Sequence, residues 1–512
     1  MENKKNIHKK ILLYAILLLP IALVSGPFLP DLIVVLTGIY FLIYMWKTNQ
    51  IKFFVNDFSK IFIIFYIYIV ARSFFTEDIL LSLKNSFFYF RFLLLVFLIK
   101  YLIIHEKKFI RLFFYSLVLT TFIVTFDAIA EFILGYHWLL DKTTYPEFVA
   151  SKRISGLFDE EYILGSYLLR LYPLILTLSL LILDKRRTLL ILLFTFLVFF
   201  TIIISGERTS ITSFVVIILF LFLFSNLFSN FKRRLFTFLG FFIFMFLLIF
   251  LNESLSNRLI FHTLNSFYSN ASFSMPFDQT NYLSERRFKK NIEEHLGYSD
   301  INYTKDVIIA RNNDNNDIVF IKEWNLEAPQ PNKDEIDRAS KVVQNKLDNK
   351  NFFQKKIELN IEKFAFILSR KDKKLVYYST EHQNHALIAI EMFKDNPIFG
   401  HGLKMFRVKC GKKKYYLGER SCTTHPHNIV LTLMSELGTI GLLFYVIIFF
   451  YIIKNLIIKN GNQKILLIGF MIFLIPILPS GYFFNNYTSI IFYIGIGFYS
   501  GLKDIDIKRS SL

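Results

Sequence analysis

The stretch Cys422-Thr-Thr-His-Pro-His-Asn leads directly into a long apolar run at residues 429–453. Its two imidazoles, His425 and His427, therefore lie at the mouth of a segment long enough to cross a bilayer, where polar side chains need partners. Asn428 is placed to act as the N-cap of the following helix. The first backbone N–H groups of that helix would face the same mouth, and a helix N-terminus favours anionic ligands. The pattern predicts a site at this mouth.

Each polar residue of this stretch also has a simpler interpretation. Glu436 falls two turns inside the apolar run, where it either pairs with a neighbouring helix or orients the site. His427 is either a hydrogen-bonded interfacial histidine or a general base, the role that an imidazole fills near neutral pH. His425 lies next to Pro426, and its simpler interpretation is that it shapes the turn without contacting substrate. We predict that His427 is the base and that Glu436 orients the site.

The composition excludes an ordinary soluble protein. The chain has 512 residues, 54% of them hydrophobic, and 61 of them are phenylalanine. Apolar runs long enough to span a bilayer recur along most of the sequence. The formal net charge of +19 would suit nucleic acid. Many basic residues instead lie in short clusters between apolar runs, which is the topology signal of membrane proteins, so we expect no nucleic-acid partner.

These runs predict an all-α polytopic membrane protein with about 12 transmembrane helices and both termini in the cytoplasm. Lysines before the first apolar run and basic clusters at residues 184–187 and 232–234 mark the cytoplasmic side. No small-residue cleavage site follows the first run, which is interpreted as an uncleaved helix. The predicted spans are residues 11–28, 31–46, 61–75, 87–104, 112–134, 162–183, 188–204, 210–228, 235–251, 429–453, 465–478 and 487–502.

Three parts follow from this topology. Residues 1–251 form an N-terminal membrane bundle with spans 1–9, and residues 425–512 form a C-terminal bundle with spans 10–12. Residues 252–424 form a large periplasmic loop domain between spans 9 and 10. This insert is charged and rich in Asn and Lys, and it has helical patterns at residues 333–347 and 353–369. Its lysines agree with an outside location, because long loops escape the positive-inside rule.

The chain has two cysteines, Cys410 and Cys422, and both lie in the predicted periplasmic region. In an oxidising compartment we expect them to form a disulfide, which would restrain a short loop by roughly 3 kcal/mol on chain-entropy grounds. The alternatives are two free thiols, or a metal site that adds His425 and His427. The spacing lacks a CxxC pair, so we predict no metal and no cofactor.

Arginines mark two further segments that the topology brings to the same side, and His382 begins a third. Arg153 precedes a span, and Arg208 lies in a tight turn between two spans. A guanidinium at a membrane mouth suits phosphate because it presents two parallel donors. Arg208 could instead anchor the interface or pair with Glu207, and Arg153 could be a solvated loop charge.

Four motifs occur in order along the chain and together carry a family resemblance. They are Arg-Ile-Ser-Gly-Leu-Phe at 153–158, Ser-Gly-Glu-Arg at 205–208, Asp-Asn-Pro-Ile-Phe-Gly-His-Gly at 395–402, and His-Pro-His-Asn at 425–428 with Glu436, Gly438 and Gly441. The glycines of the third motif also suit a tight bend after Pro397. The motifs resemble the O-antigen ligase and O-antigen polymerase superfamily over about residues 11–502. The His-Asn pair, nine residues and then a glycine form the most specific part.

The resemblance implies a metal-independent, inverting glycosyltransferase of the bacterial inner membrane, with its active site on the periplasmic side. Its donor would be a glycan on undecaprenyl pyrophosphate. Its acceptor would be lipid A–core in a ligase of lipopolysaccharide biosynthesis, a second lipid-linked glycan in a polymerase, or a protein. His427 maps to the catalytic histidine and Arg208 to the arginine that engages the pyrophosphate. We expect five further residues to bind or orient substrate: Arg153, Asn428, His425, His382 and Glu436.

One departure from the family pattern concerns a second arginine, about fifteen residues before the proline of the third motif. This chain has His382 there, with His385 nearby. Either a histidine takes over that role, or Arg407 or Arg286 supplies the second phosphate contact.

The alternative from another class is a lipid-linked oligosaccharide flippase or another polytopic transporter. Such proteins carry ionisable residues and broken helices near the middle of the membrane. Arg72, Arg91, Asp127 and Glu131 lie in or near the predicted spans and favour this alternative. The histidines, in contrast, cluster at the outer mouth.

Overall fold

Helix dominates the part of the chain that the computed structural model describes. That part comprises residues 2–134, 137–138, 153–159, 161–183, 188–224, 231–252, 255–261, 299–303, 307–311, 317–321, 380–417, 421–458, 463–476 and 479–510. The helices before the insert are α1 (Glu2–Leu17), α2 (Leu19–Ala22), α3 (Phe28–Lys47), α4 (Asp57–Ser73), α5 (Ile79–Ser86), α6 (Arg91–His105), α7 (Phe109–Leu134), α8 (Leu164–Ile182), α9 (Thr188–Ile204), α10 (Arg208–Phe224) and α11 (Phe231–Leu251). Those that follow are α12 (Thr380–Asp395), α13 (Met405–Lys409), α14 (Ile429–Ile458), α15 (Gln463–Leu474) and α16 (Asn486–Ser510).

Five described stretches of helix are long and apolar enough to cross a membrane. They are Phe28–Lys47, Ile79–His105, Phe109–Leu134, Leu164–Ile182 and Ile429–Ile458. Shorter apolar helices occur at Leu189–Ile204, Arg208–Phe222, Leu239–Phe250 and Gln463–Leu474. These findings confirm a helical bundle of membrane-spanning type, while the count of twelve spans stays a prediction.

The first predicted span differs from the structure at both ends. The helix already begins at Glu2, so the basic N-terminal segment is helical, and it ends at Leu17. A separate short helix, α2, follows with Pro20 in its first turn. Proline lacks an N–H and is tolerated in a first turn but not in a helix interior, which explains why the run is divided here.

The last helix packs closely along α6 because small residues line the contact. A Cβ atom added at Gly497 would lie 2.8 Å from the Cβ of Ile99. One added at Gly501 would lie 2.7 Å from Cδ1 of Ile103. Between these two glycines the ring of Phe498 packs against that of Phe113, with the centroids 4.9 Å apart. This contact joins the C-terminal helices to the N-terminal bundle.

Within the insert the structure describes a small antiparallel sheet of order β1-β2-β3. Its strands are β1 (Ser299–Tyr303), β2 (Val307–Arg311) and β3 (Asp317–Ile321). The sequence analysis did not predict this sheet. The helical patterns that it predicted at residues 333–347 and 353–369 lie outside the described residues. The end of the insert, including α12, packs against α14 and so forms part of the region around the histidines.

Helix α14 is broken at Gly438, whose backbone torsions are non-helical (φ 62°, ψ −157°). The apolar periodicity of residues 429–453 predicts one continuous span and gives no sign of this break. The break leaves backbone groups near Glu436 to be satisfied by partners outside the helix.

Candidate functional site

The loop at residues 397–402, part of the third motif, fills the break in α14. The N–H of Gly402 donates to the carbonyl of Glu436 (2.6 Å), and the N–H of His401 donates to that of Ser435 (3.0 Å). In the other direction, the N–H of Thr439 donates to the carbonyl of Pro397 (2.7 Å). The third and fourth motifs therefore form one unit, in which the loop replaces the hydrogen bonds that the helix lacks.

The glycines at this junction allow two backbones to approach each other. A Cβ atom at Gly400 would lie 2.4 Å from the amide nitrogen of Leu437, and one at Gly438 would lie 2.5 Å from the carbonyl oxygen of Ile398. Both glycines also have positive φ angles. The tight bend predicted after Pro397 explains only the backbone conformation of Gly400. The close contact between this loop and α14 is a second reason why both positions need glycine.

Helix α4 fixes this junction from the other side. Tyr68 donates its hydroxyl to the carbonyl of Leu437 (2.7 Å), and the guanidinium of Arg72 donates to that of Gly400 (Nη2 to O, 2.6 Å). Arg72 also donates to the carbonyls of Phe75 and Phe399. Arg72 thus has a structural role in holding the loop.

At the start of α14, Asn428 is the N-cap, as predicted. Its Oδ1 atom accepts hydrogen bonds from the N–H groups of Val430 (2.9 Å) and Leu431 (3.2 Å). Its Nδ2 atom donates to the carbonyl of Pro476 (2.5 Å). Because the side chain takes two of the first N–H groups, the helix dipole acts here mainly through space rather than through free donors.

Four histidine rings meet directly before this cap. The ring centroid of His427 lies 4.1 Å from that of His425, 5.2 Å from that of His382 and 5.5 Å from that of His385. His382 and His385 lie one turn apart on α12, and the other two lie in the loop before α14. The structure therefore brings together three predicted site residues, and it adds His385.

Burial lowers the pKa of two of these imidazoles, those of His425 and His427. It lowers the pKa of His427 to about 4, with His382 and His385 as further causes. It lowers the pKa of His425 to about 3, helped by His427 and Lys404. A neutral imidazole has a lone pair that accepts a proton, so at neutral pH His427 is in the form that a general base requires.

Glu436, fully buried, forms a small network with two residues that the sequence analysis missed. Its Oε2 atom accepts a hydrogen bond from the hydroxyl of Tyr482 (2.5 Å). The ammonium of Lys404 lies 3.9 Å from the centroid of the Tyr482 ring and within electrostatic range of Glu436. Burial lowers the pKa of Lys404 to about 8. Glu436 is therefore paired with groups in the segments before α13 and before α16, and its role in orienting the site stays a prediction.

The arginine segments meet at Glu207. Its carboxylate accepts hydrogen bonds from the N–H groups of Gly165 (2.8 Å) and Ser166 (3.1 Å) and so caps α8. The guanidinium of Arg153 lies 3.9 Å from the same carboxylate and donates to the carbonyl of Tyr162 (2.8 Å). Arg208 follows Glu207 as the first residue of α10. Glu207 thus caps a neighbouring helix while holding Arg153.

Arg170, on α8, links this arginine group to the histidine group. It lies within electrostatic range of Glu207. Its Nη2 atom is 3.6 Å from the point where a Cβ atom on Gly481 would lie, and Gly481 is next to Tyr482. The Tyr482 ring is 5.7 Å from that of His425. The sequence analysis missed Arg170 because it lies inside an apolar run without a motif.

Cys410 and Cys422 are joined by a disulfide in the structure, with their Cα atoms 5.1 Å apart. Both sulfurs are bonded to each other, which excludes the alternative in which two thiolates join His425 and His427 around a metal. Among the residues that the structure describes, no group of three or more His, Cys, Asp or Glu side chains is arranged to hold a metal ion. The disulfide ties the end of α13 to the loop that carries the histidines.

The fold and the site define a polytopic helical membrane protein with a cluster of histidines beside a broken helix. Residues 384–446 match the family model described as O-antigen ligase. The matched segment contains His385, His427, Glu436 and Gly438. This finding confirms the resemblance to the O-antigen ligase and polymerase superfamily for that segment of the chain. Residues 295–346 match a second family model, described as XkdW protein. No curated protein matches the chain.

Proposed function

We propose that this protein transfers a glycan from undecaprenyl pyrophosphate to an acceptor hydroxyl at the periplasmic face of the inner membrane. The observation that carries the proposal is the half-buried His427, with a lowered pKa, at the N-terminus of α14 and inside the segment that matches the O-antigen ligase family. A base at a membrane mouth suits a reaction in which both substrates are anchored in lipid.

In this mechanism His427 accepts the proton of the acceptor hydroxyl while the oxygen attacks the anomeric carbon. The bond between that carbon and the pyrophosphate oxygen breaks, and the electron pair leaves with the pyrophosphate. A single displacement of this kind inverts the anomeric configuration and needs no nucleophile from the protein. General-base catalysis of this type contributes roughly 10²- to 10⁴-fold to the rate.

Cations near the site would stabilise the charge that develops on the leaving pyrophosphate. Arg208 is the proposed principal contact, and Arg153 lies close to it through Glu207. Arg407, exposed on α13, lies within electrostatic range of Lys404 and His425. This position favours Arg407 as the second phosphate contact over Arg286, which lies outside the described residues.

The structure weakens the main argument for a transporter. Arg91 forms an ion pair with Asp31 (2.7 Å), and the N–H of Gly156 donates to Glu131 (2.8 Å). Asp127 accepts a hydrogen bond from Trp138 (3.0 Å), and Arg72 holds the loop at Gly400. All four ionisable residues that favoured a flippase therefore have structural partners.

The test is complementation of surface polysaccharide in a strain that lacks this protein. We expect His427→Ala and Arg208→Ala to abolish the glycan while membrane abundance stays normal. The matched controls are His105→Ala and Arg111→Ala, two exposed positions at the predicted cytoplasmic side, which should complement fully. The banding pattern of the remaining surface glycan distinguishes a ligase from a polymerase. Loss of a ligase removes all glycan repeats from the acceptor, whereas loss of a polymerase leaves a single repeat. Normal glycan in both site variants would contradict the proposal.

A further inference from the structure

Two of the residues at the site have a backbone conformation that side chains rarely adopt. Among the described residues, the non-glycine positions with positive φ are Asn49, Asp159, Lys404 and His427. Such a conformation is unfavourable for a residue with a side chain and persists only where the surroundings hold it in place. Lys404 (φ 67°) and His427 (φ 53°) therefore need partners that fix their backbones.

The segment between α15 and α16 supplies partners for both. The N–H of Ser480 donates to the carbonyl of His427 (2.7 Å). The N–H of Lys404 donates to the hydroxyl of Tyr482 (3.2 Å). The same segment thus contacts two strained backbones that are far apart in sequence, and it fixes the direction in which the imidazole of His427 leaves the chain.

Tyr482 anchors this segment to α14. Its side chain is buried, with 3% exposed, and its hydroxyl donates to Glu436 while accepting from Lys404. Burial and the neighbouring Glu436 raise the pKa of Tyr482 well above its usual value, so the hydroxyl remains a donor. One hydroxyl therefore connects the broken helix, the loop before α13 and the segment that holds His427.

We infer that Tyr482 is a positioning residue for glycan transfer. Its hydroxyl, held between Glu436 and the N–H of Lys404, fixes the segment whose Ser480 N–H maintains the left-handed backbone of His427. This inference rests on the proposed function, since it assigns a role toward the proposed base.

The test compares Tyr482→Phe with wild type, added as purified protein to membrane vesicles of the deletion strain. These vesicles hold both the lipid-linked donor and the acceptor, and the initial rate of donor consumption is followed against vesicle concentration. The variant keeps the ring and loses only the hydroxyl. We expect kcat to fall about 10- to 100-fold, the range that misplacement of a reacting group by about 1 Å produces. The apparent KM should change less than about twofold, because uniform binding is not affected.

The matched control is Tyr493→Phe, which removes the hydroxyl of a buried tyrosine on α16 that lies 3.2 Å from the hydroxyl of Tyr89. It should transfer at the wild-type rate. The thermal midpoint of each variant is measured in parallel, so that kcat is expressed per folded protein.

If wild type is active, three results for Tyr482→Phe would overturn the inference. A wild-type kcat in Tyr482→Phe would do so while the proposed function stands. A raised KM with unchanged kcat would show that Tyr482 binds substrate, and a lower thermal midpoint with unchanged kcat per folded protein would show a structural role only. If wild type consumes no donor, the proposed function fails first, and the inference fails with it.

Discussion

The sequence position of His427 predicts a general base at the start of α14. Its left-handed backbone (φ 53°), in contrast, is not indicated by any local sequence pattern. The sequence places it between a proline and an N-cap asparagine, at the start of an apolar run, and the structure confirms the cap. Its left-handed backbone depends on Ser480, 53 residues later, and therefore could not be predicted from the stretch itself. Two further histidines of the cluster, His382 and His385, are likewise distant from His427 in sequence.

The buried histidines should make the protein acid-sensitive. Unfolded histidines protonate near pH 6.5, whereas the pKa of His425 is lowered to about 3 and that of His427 to about 4. Between pH 6.5 and these lower values the unfolded state binds more protons, so stability falls as pH falls. At pH 5, each of these two histidines should lower the free energy of unfolding by up to about 2 kcal/mol relative to neutral pH.

Thermal unfolding in detergent between pH 7.5 and pH 5 checks this expectation. His425→Gln should lose less stability than wild type over that range, because glutamine does not titrate. His105→Gln, at an exposed position, should follow the wild-type curve. Equal pH dependence in wild type and His425→Gln would show that His425 is not held neutral by burial.

Gly438→Ala tests the close contact at the break in α14. The added methyl would meet the carbonyl of Ile398 at 2.5 Å and the amide nitrogen of Gly400 at 2.6 Å, and both are backbone atoms that cannot rotate away. We expect the free energy of unfolding to fall by about 3 kcal/mol or more and glycan transfer to be lost. Gly240→Ala is the control, because among the described residues no heavy atom outside its own helix backbone lies within 4 Å of the added methyl. Measured thermal midpoints that fall equally in both variants would contradict this reading of the junction.

At the scale of elements, periodicity and composition predicted the helices well and the interruptions poorly. The apolar run at residues 429–453 predicts one continuous span, because hydropathy carries no information on the backbone torsions of Gly438. The docking of residues 397–402 into that break depends on long-range backbone hydrogen bonds. Tyr482 and Arg170 could not be predicted for the same reason. The role of each depends on contacts with residues of other elements, which no local sequence pattern indicates.

The disulfide between Cys410 and Cys422 should stabilise the loop that carries the histidines. Removing it by Cys410→Ser with Cys422→Ser should cost about 2–4 kcal/mol and lower transfer activity. The measurement is thermal unfolding with and without a thiol reductant. Reductant should lower the midpoint of wild type and leave that of the double serine variant unchanged. A wild-type midpoint that does not respond to full reduction would contradict this role.

For the whole molecule, alternation of basic clusters predicted the topology, and five described stretches of helix are long enough to cross a membrane. The complete arrangement of twelve spans is testable with reporter fusions. A phosphatase that is active only in the periplasm should be active when fused after residue 300 and inactive after residues 186 and 460. The opposite pattern at residue 300 would place the insert in the cytoplasm and would contradict the topology.

The central claim is that this protein uses its lipid-linked glycan at the periplasmic face instead of moving it there. The most direct measurement is the side of the membrane on which lipid-linked glycan accumulates in a strain that carries His427→Ala. Spheroplasts and inverted vesicles of that strain are probed with a lectin that does not cross membranes. We expect the glycan to accumulate at the periplasmic face, where the lectin reaches it in spheroplasts. Accumulation at the cytoplasmic face would contradict the central claim and would assign the chain to transport.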